Sequence, residues 1–304
     1  MKNKIFFAVA LLTFCMTLIG CSGNMASKLD SLTQKPGTFC VVTSFYPMYI
    51  ATLNITNGVD GVEVVNMTKP QTGCLHDYQL TTEDMKALET ADIFVINGGG
   101  MESFLQKVAE QNANLPCIDA SKGINLIKDD DGEANPHVWM SVTYAIEQVK
   151  NITHGLVIQD PKHEEQYKAN ALDYVQKLSQ LRAEMHDQLD DLPHKDIVTF
   201  HEAFPYFVKE FNLNQAASIE HEPGIEPTPA ELEATIAIVR NLPVKAVFTE
   251  PQYPPSAADT IARETGASVY QLDPIVTGPM DDSAKDAYII AMKKNAETLK
   301  EAMK

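Results

Sequence analysis

The sequence predicts an α/β fold in which two lobes, each built on a parallel sheet, are joined by a long and rigid backbone helix. In the first half, short apolar runs of strand length alternate with segments of helical character, and the same alternation returns in the second half. Nearly continuous apolar strands separated by helices are typical of parallel sheets covered on both faces. Between the halves, residues 161–192 carry a helical period and no strand pattern.

Residues 1–20 have a pattern typical of export. Lys2 and Lys4 precede an apolar run at residues 5–12, which suits a signal peptide and is too short for a membrane-spanning helix. The sequence Leu-Ile-Gly-Cys at 18–21 resembles the lipobox of bacterial lipoproteins. We therefore predict a signal peptide, acylation of Cys21 by fatty acid such as palmitate, and an extracytoplasmic, lipid-anchored chain on the cell surface or the periplasmic face. An ordinary secretory signal that happens to carry a cysteine is the alternative.

The tether and the first lobe follow the signal. Residues 21–37 are small and polar without an apolar period, which predicts a flexible tether. The first lobe is predicted over residues 38–158. Its four strands are the apolar runs at residues 39–45, 62–67, 92–96 and 115–119. Thr81 is placed to cap a helix over residues 84–89, whose first turn carries acidic side chains.

The linking helix is predicted over residues 159–192. Apolar or aromatic side chains recur there three and four residues apart, at Tyr167, Ala171, Tyr174, Val175, Leu178, Leu181, Met185 and Leu189. A helix of roughly 25 residues is about 40 Å long, and we expect it to be a stiff spine rather than a hinge.

The second lobe is predicted over residues 193–304. Its strands are the apolar runs at residues 196–200, 216–219, 246–249 and 268–272. Thr228, Pro229 and Glu231 form a helix start, with a capping hydroxyl, a proline in the first turn and a glutamate three residues after the cap. A closing helix is predicted over residues 284–303.

Charge and cysteine usage narrow the possible partners. The chain has 41 acidic and 24 basic residues, a net charge of −17, and this becomes −19 without residues 1–20, which hold two lysines and no acid. So acidic a surface argues against nucleic acid or anionic lipid as the working partner. Cys40 and Cys117 lie in predicted strands and would pair only if those strands are neighbours; two buried thiols are the alternative.

Four residues stand at strand–helix junctions and carry side chains that bind metal ions. His76, His137 and His201 precede helices, and Asp273 directly follows a strand. In α/β sheets ligands bind beyond the carboxyl ends of strands, so these positions predict a site between the lobes. Three neutral imidazoles and one carboxylate suit zinc. A single histidine of this kind is more often a hydrogen-bonded structural residue, and no compact metal motif is present.

Several segments, in order from residue 73 to residue 274, carry a family resemblance. GCLHDY at 73–78 and DIFVING at 92–98 are followed by NPHVW at 135–139, HEAFPYF at 201–207 and EPTP at 226–229. They are similar to segments of the substrate-binding lipoproteins of zinc and manganese ABC importers, the ZnuA-like (cluster A-I) family, in which the third and fourth segments read DPHxW and HxAFxYF. Asp273 stands where the family places a carboxylate ligand.

The resemblance implies a fold, a site and a role. It implies two α/β lobes joined by a long helix, with His76, His137, His201 and Asp273 as metal ligands. It also implies a monomeric, non-enzymatic protein that captures a metal ion and delivers it to an ABC transporter permease. Members tuned for manganese tend to carry glutamate at the third position, so His201 favours Zn²⁺ over Mn²⁺. A manganese- or iron-binding role is the alternative.

The first histidine segment departs from the family pattern. A proline usually precedes the ligand, whereas here Cys74 and Leu75 do. A Cys74 thiolate would be within reach of the ion, but we interpret this side chain as a small buried group. The histidine-rich loop of many zinc members is absent, and the acidic residues 128–133 occupy that region.

Two other classes of function stay open. Three histidines with an open fourth position form the site of a zinc hydrolase, for which Glu202 is the near candidate base. Asp273 as a fourth ligand argues against an enzyme. A surface adhesin is the second alternative, and the sequence offers neither a repeat nor an aromatic patch to support it.

Overall fold

The computed structural model describes residues 37–69, 74–75, 78–128, 132–219, 227–243, 245–252 and 256–304. The predicted signal peptide, Cys21, His76 and nearly all of the tether lie outside the described residues. Within the described ranges, no helix has both the length and the apolar character needed to cross a membrane.

The first lobe is built on four parallel strands. These are β1 (Phe39–Thr43), β2 (Val62–Asn66), β3 (Ile93–Ile96) and β4 (Cys117–Asp119). Their order in the sheet is β2-β1-β3-β4, and every pairing is parallel. The connecting helices are α1 (Tyr46–Ile55), α2 (Thr82–Glu89) and α3 (Leu105–Gln111). All four predicted strands are confirmed, with small differences at their ends.

The second lobe repeats this plan. Its strands are β5 (Asp196–Thr199), β6 (Asn214–Ser218), β7 (Ala246–Thr249) and β8 (Ser268–Gln271), in the order β6-β5-β7-β8. These pairings are parallel as well. The helices are α6 (Pro205–Glu210), α7 (Pro229–Asn241), α8 (Ser256–Thr265) and α9 (Ala284–Ala302). The predicted strand 216–219 begins two residues earlier than expected, at Asn214.

The predicted spine is present between the sheets. Helix α4 (Val142–Gln159) and a short 3-10 turn (Pro161–His163) lead into α5 (Glu164–Leu189). With 26 residues, α5 is about 39 Å long. Of the residues predicted to form its apolar face, all but the partly buried Val175 are buried. This apolar face packs against α1, α4 and α9, as expected of an amphipathic helix.

Both predicted helix caps form as expected. The Thr81 hydroxyl accepts a hydrogen bond from the Asp84 amide, and the Asp84 carboxylate accepts one from the Thr81 amide. Thr228 and Glu231 make the same reciprocal pair at the start of α7. These caps satisfy amide groups that have no partner inside the first helical turn.

A common core joins the two lobes. One continuous cluster of buried apolar side chains extends from β1 to α9. The indole nitrogen of Trp139, in the first lobe, donates a 2.8 Å hydrogen bond to the carbonyl of Pro274, in the second. Helix α9 follows the second sheet yet packs against α1 and α5. The lobes are therefore held together by shared packing as well as by the spine.

The strand order decides between the two alternatives for Cys40 and Cys117. Cys40 lies on β1 and Cys117 on β4, and β3 lies between these strands. Strands two positions apart in a sheet are separated by about 9–10 Å. A disulfide requires Cα atoms within about 7 Å, so the two thiols are not bonded to each other. Cys40 is buried as expected, whereas the expected burial of Cys117 is wrong, because its side chain is exposed on β4.

Candidate metal site

The candidate site lies where the loops beyond the two sheets meet. His201 is two residues beyond β5, and Glu250 directly follows β7. β5 and β7 are neighbours in the middle of the sheet. After β5 the chain continues to β6 at one edge, and after β7 it continues to β8 at the other edge. Loops that leave such neighbouring strands in opposite directions open a crevice, which is where α/β sheets bind ligands.

His137 comes from the first lobe and is held in a fixed orientation. It is buried, just before a 3-10 turn (Val138–Met140). Its backbone amide and its Nδ1 lie 3.0 and 3.1 Å from the side-chain oxygen of Asn135. The amide nitrogen of Asn135 donates to the carbonyl of Glu202 at 2.9 Å, so the oxygen faces His137 and accepts. Nδ1 therefore carries the proton, and Nε2 keeps its lone pair for a metal ion.

His201 brings a second imidazole from the other lobe. Its ring centroid is 4.8 Å from that of His137, and the two ring planes are nearly perpendicular, at 82°. Its Nδ1 is 3.6 Å from a carboxylate oxygen of Glu250, and both side chains are almost fully buried. A carboxylate next to a ligating imidazole orients the ring, so Glu250 is placed to support His201.

Cys74 completes a group of three potential ligands. Its Sγ is 3.6 Å from Nε2 of His137. One ligand atom from each of Cys74, His137 and His201 lies within 4.8 Å of the other two. Nitrogen and sulfur donors at this separation suit a transition-metal ion of the zinc type.

Asp273 lies beyond β8 and close to Glu250. Its Oδ1 accepts a 2.7 Å hydrogen bond from the Ile275 amide, and its own amide donates to Asn295. Burial raises the pKa of the Asp273 carboxyl, the Ile275 hydrogen bond lowers it in part, and the charge of Glu250 raises it again. A cation bound near these two carboxylates would be stabilised, because its charge would offset their mutual repulsion. Asp273 itself is not a member of the Cys74–His137–His201 group.

A buried network fixes the backbone that carries His137. The Glu102 carboxylate accepts hydrogen bonds from the Ser44 hydroxyl and from the amides of Asn97 and Gly98, at 2.7–3.0 Å. The side chain of Asn97 donates to the carbonyl of Pro136, which directly precedes His137. Burial raises the pKa of Glu102 to about 7, although these hydrogen bonds lower it in part.

Two residues of the site were not predicted from the sequence. Glu250 directly follows a predicted strand, so the rule that selected Asp273 would have found it. Asn135 was noticed only as part of the His137 segment, because its role depends on the carbonyl of Glu202 in the other lobe. Of the four predicted ligands, His137 and His201 are brought together, Asp273 lies beside Glu250, and His76 lies outside the described residues.

A family model for the periplasmic component A of the zinc-uptake complex, ZnuA, matches residues 41–302. The chain belongs to this family.

Individual relatives agree with the ZnuA family model over nearly the whole chain. The high-affinity zinc uptake system protein ZnuA of Bacillus subtilis is 30% identical over 306 residues, which cover 95% of each protein. The manganese-binding lipoprotein MntA of Halalkalibacterium halodurans is 26% identical over 300 residues, or 97% of each. The solved structure of the laminin-binding protein Lmb of Streptococcus agalactiae, described as having adhesin and metal-transporting activity, matches with a TM-score of 0.78 and 30% identity. That match covers 88% of this chain and 100% of Lmb.

Membership of the ZnuA family decides between a binding protein and a zinc hydrolase. The family consists of extracytoplasmic binding components of metal importers, which confirms the predicted binding protein and excludes the zinc hydrolase. The solved relatives also confirm the predicted α/β fold of two parallel-sheet lobes with a long connecting helix.

Proposed function

We propose that the chain captures Zn²⁺ outside the cytoplasm and delivers it to the permease of an ABC-type importer. The observation that carries this proposal is the meeting of two buried imidazoles, His137 from one lobe and His201 from the other, beside the buried carboxylate of Glu250. A cation that enters this crevice exchanges its water ligands for these atoms.

The proposed ligands are His76, His137 and His201, with Asp273 as the sequence-predicted fourth. Support for Asp273 is its position near Glu250, since a divalent cation would offset the repulsion between the two carboxylates. Support for His76 is its place in the chain, two residues after Cys74, whose sulfur contacts His137. A closed set of four ligands leaves no position for a reacting water, as capture requires.

Zinc is favoured over manganese because the two described histidines supply nitrogen donors, which manganese prefers less than oxygen. The manganese-binding relative MntA keeps manganese as the second candidate cargo, and the oxygens of Glu250 and Asp273 would suit it. Competition between the two ions for metal-free protein decides between them. Retention of manganese against an equal concentration of zinc would assign the chain to manganese transport.

We also propose that the chain is anchored by lipid on Cys21 and acts as a monomer. The relative MntA is named a lipoprotein. In this arrangement residues 21–37 connect the anchor to the first lobe and keep the metal site near the permease. Mass spectrometry of the membrane-extracted protein tests this, because acylation adds the mass of fatty acid to Cys21 and Cys21→Ala would release the protein from the membrane.

Titration of metal-free protein with zinc tests the function. His76→Ala, His137→Ala and His201→Ala are each expected to weaken binding at least tenfold, since loss of a ligand costs no less than loss of a residue that orients one. His154→Ala is the control, because His154 is exposed on α4. Parent-like binding by all three ligand-histidine variants would refute the assigned site, and absence of zinc binding by the parent would refute the function.

A further inference from the structure

A cysteine outside the predicted ligand set lies at the candidate site. Cys74 is half-buried, and its sulfur is 3.6 Å from Nε2 of His137. We propose that Cys74 binds the captured ion as a thiolate and takes the fourth ligand position, next to His137 and His201. This inference rests on the proposed function, because it concerns the same ion at the same site.

The spacing of the two atoms is that of neighbouring ligands on zinc. Tetrahedral zinc has Zn–S bonds of about 2.3 Å and Zn–N bonds of about 2.0–2.1 Å, which place the sulfur and the nitrogen about 3.5 Å apart. The observed distance is 3.6 Å. Nε2 is also the nitrogen that keeps its lone pair, because Asn135 fixes the proton of His137 on Nδ1.

His201 distinguishes a metal site from a simple hydrogen bond. A thiol and an imidazole in a hydrogen bond have a similar separation, but that contact involves only two side chains. Here a ligand atom of His201 also lies within 4.8 Å of both others, although it comes from the opposite lobe. Three donors that converge from separate segments are accounted for by one ion between them.

Glu250 provides an independent indication of positive charge at this place. It is only 2% exposed, and its Oε1 accepts no hydrogen bond from the described residues. Its other oxygen lies 3.6 Å from His201. A buried carboxylate is costly unless a cation or hydrogen-bond donors compensate it, and an ion bound to His201 would do so.

Cys74 fits the fourth position better than Asp273 does. Oδ1 of Asp273 already accepts the Ile275 amide, and Asp273 is outside the group of converging atoms. Asp273 then remains a nearby negative charge rather than a ligand. A thiolate makes the site softer, so Zn²⁺ and Cd²⁺ gain affinity relative to Mn²⁺. On binding, the thiol releases its proton to solvent.

X-ray absorption at the zinc edge of the zinc-loaded protein tests this assignment. We expect one sulfur at about 2.3 Å from zinc in the parent protein and none in Cys74→Ser, which still holds zinc through its histidines. We expect Cys74→Ser to lose at least tenfold in zinc affinity and clearly less in manganese affinity. Cys117→Ser is the matched control, because Cys117 is an exposed cysteine at β4 and this variant should keep the sulfur.

Each outcome separates the two proposals. Zinc bound with only nitrogen and oxygen neighbours in the parent would overturn the role of Cys74 and leave the proposed function standing. A parent that binds no zinc would refute the function itself. If Cys74→Ser does not fold, alkylation of the parent protein decides: we expect zinc to protect Cys74 from iodoacetamide, read by mass spectrometry, and equal labelling with and without zinc would overturn the proposal.

Discussion

Asn135 connects the ring of His137 to the opposite lobe. Its oxygen accepts from His137, and its nitrogen donates to the carbonyl of Glu202. The family segment has aspartate at this position, so the amide orients the ring here without adding a negative charge. Orientation of a ligating imidazole by a second group is a main determinant of metal affinity.

Replacement of Asn135 by alanine should therefore weaken zinc binding about 10- to 100-fold, with the protein still folded. Titration calorimetry measures the affinity, and circular dichroism checks the fold. Asn151→Ala is the control, because Asn151 bonds the carbonyls of Ala120 and Lys122 rather than a candidate ligand. Unchanged affinity in Asn135→Ala would contradict the role of Asn135.

Glu102 should make stability depend on pH in an uncommon direction. Its pKa is about 7 in the folded chain and 4.5 for the unperturbed group, so between these values the unfolded chain loses a proton that the folded chain keeps. Stability therefore falls as pH rises from 4.5 to 7, by up to about 3 kcal/mol. Glutamine has no such proton, so the stability of Glu102→Gln relative to the parent should rise across this range.

Urea unfolding at several pH values measures this difference in the free energy of unfolding. Glu297→Gln, an exposed position on α9, serves as the reference and should show no such trend. A constant difference between Glu102→Gln and the parent across the range would show that burial does not raise the pKa of Glu102.

Single residues also mark the limit of prediction from the sequence. His137 and His201 were predictable because each stands next to a strand or helix boundary that the apolar pattern locates. Glu250 also stands directly after a predicted strand, so the same rule could have identified it. The role of Asn135 was not predictable, because its partner Glu202 lies 67 residues further along the chain and comes close only when the two lobes meet.

At the scale of secondary structure, strand positions and helix caps could be predicted from the local sequence. Apolar runs and the Thr81 and Thr228 caps depend on neighbours in the chain, and both caps and all eight predicted strands form, with differences only at strand ends. Strand order could not be predicted from the local sequence, because it depends on contacts between segments that are distant in the chain. That order is what separates Cys40 from Cys117 and places His201 next to Glu250.

The cap of α2 gives a test at this scale. Thr81→Ala removes the hydroxyl that accepts from the Asp84 amide and should cost about 1 kcal/mol of stability. Thr82→Ala is the matched control, since Thr82 is the exposed first residue of the same helix and its replacement should change stability by less than about 0.5 kcal/mol. Equal losses measured by urea unfolding would show that the cap contributes nothing specific.

The whole molecule is organised around α5. Leu178 is fully buried on this helix and borders a cavity of about 20 Å³ that is shared with Met48, Trp139 and Tyr288. These neighbours come from α1, the His137 segment and α9, so both halves of the chain depend on the same packing.

Leu178→Ala should therefore destabilise the entire protein by about 2–5 kcal/mol, because the substitution enlarges a cavity that cannot collapse easily. Calorimetry should show one unfolding transition at a lower temperature. Leu172→Ala, on the same helix but 61% exposed, should behave like the parent. Two separate transitions in the Leu178 variant would show that the lobes do not share a core.

The bond from Trp139 to Pro274 has a consequence for the permease. Because it joins the lobes beside the metal site, the outlines of the loaded and empty protein should be nearly the same. The main difference between them is then a net gain of one positive charge by a strongly acidic molecule, because the ion brings two charges and the Cys74 thiol releases one proton. We expect the permease to recognise this change in local electrostatic potential, and its preference for loaded protein to weaken as ionic strength rises.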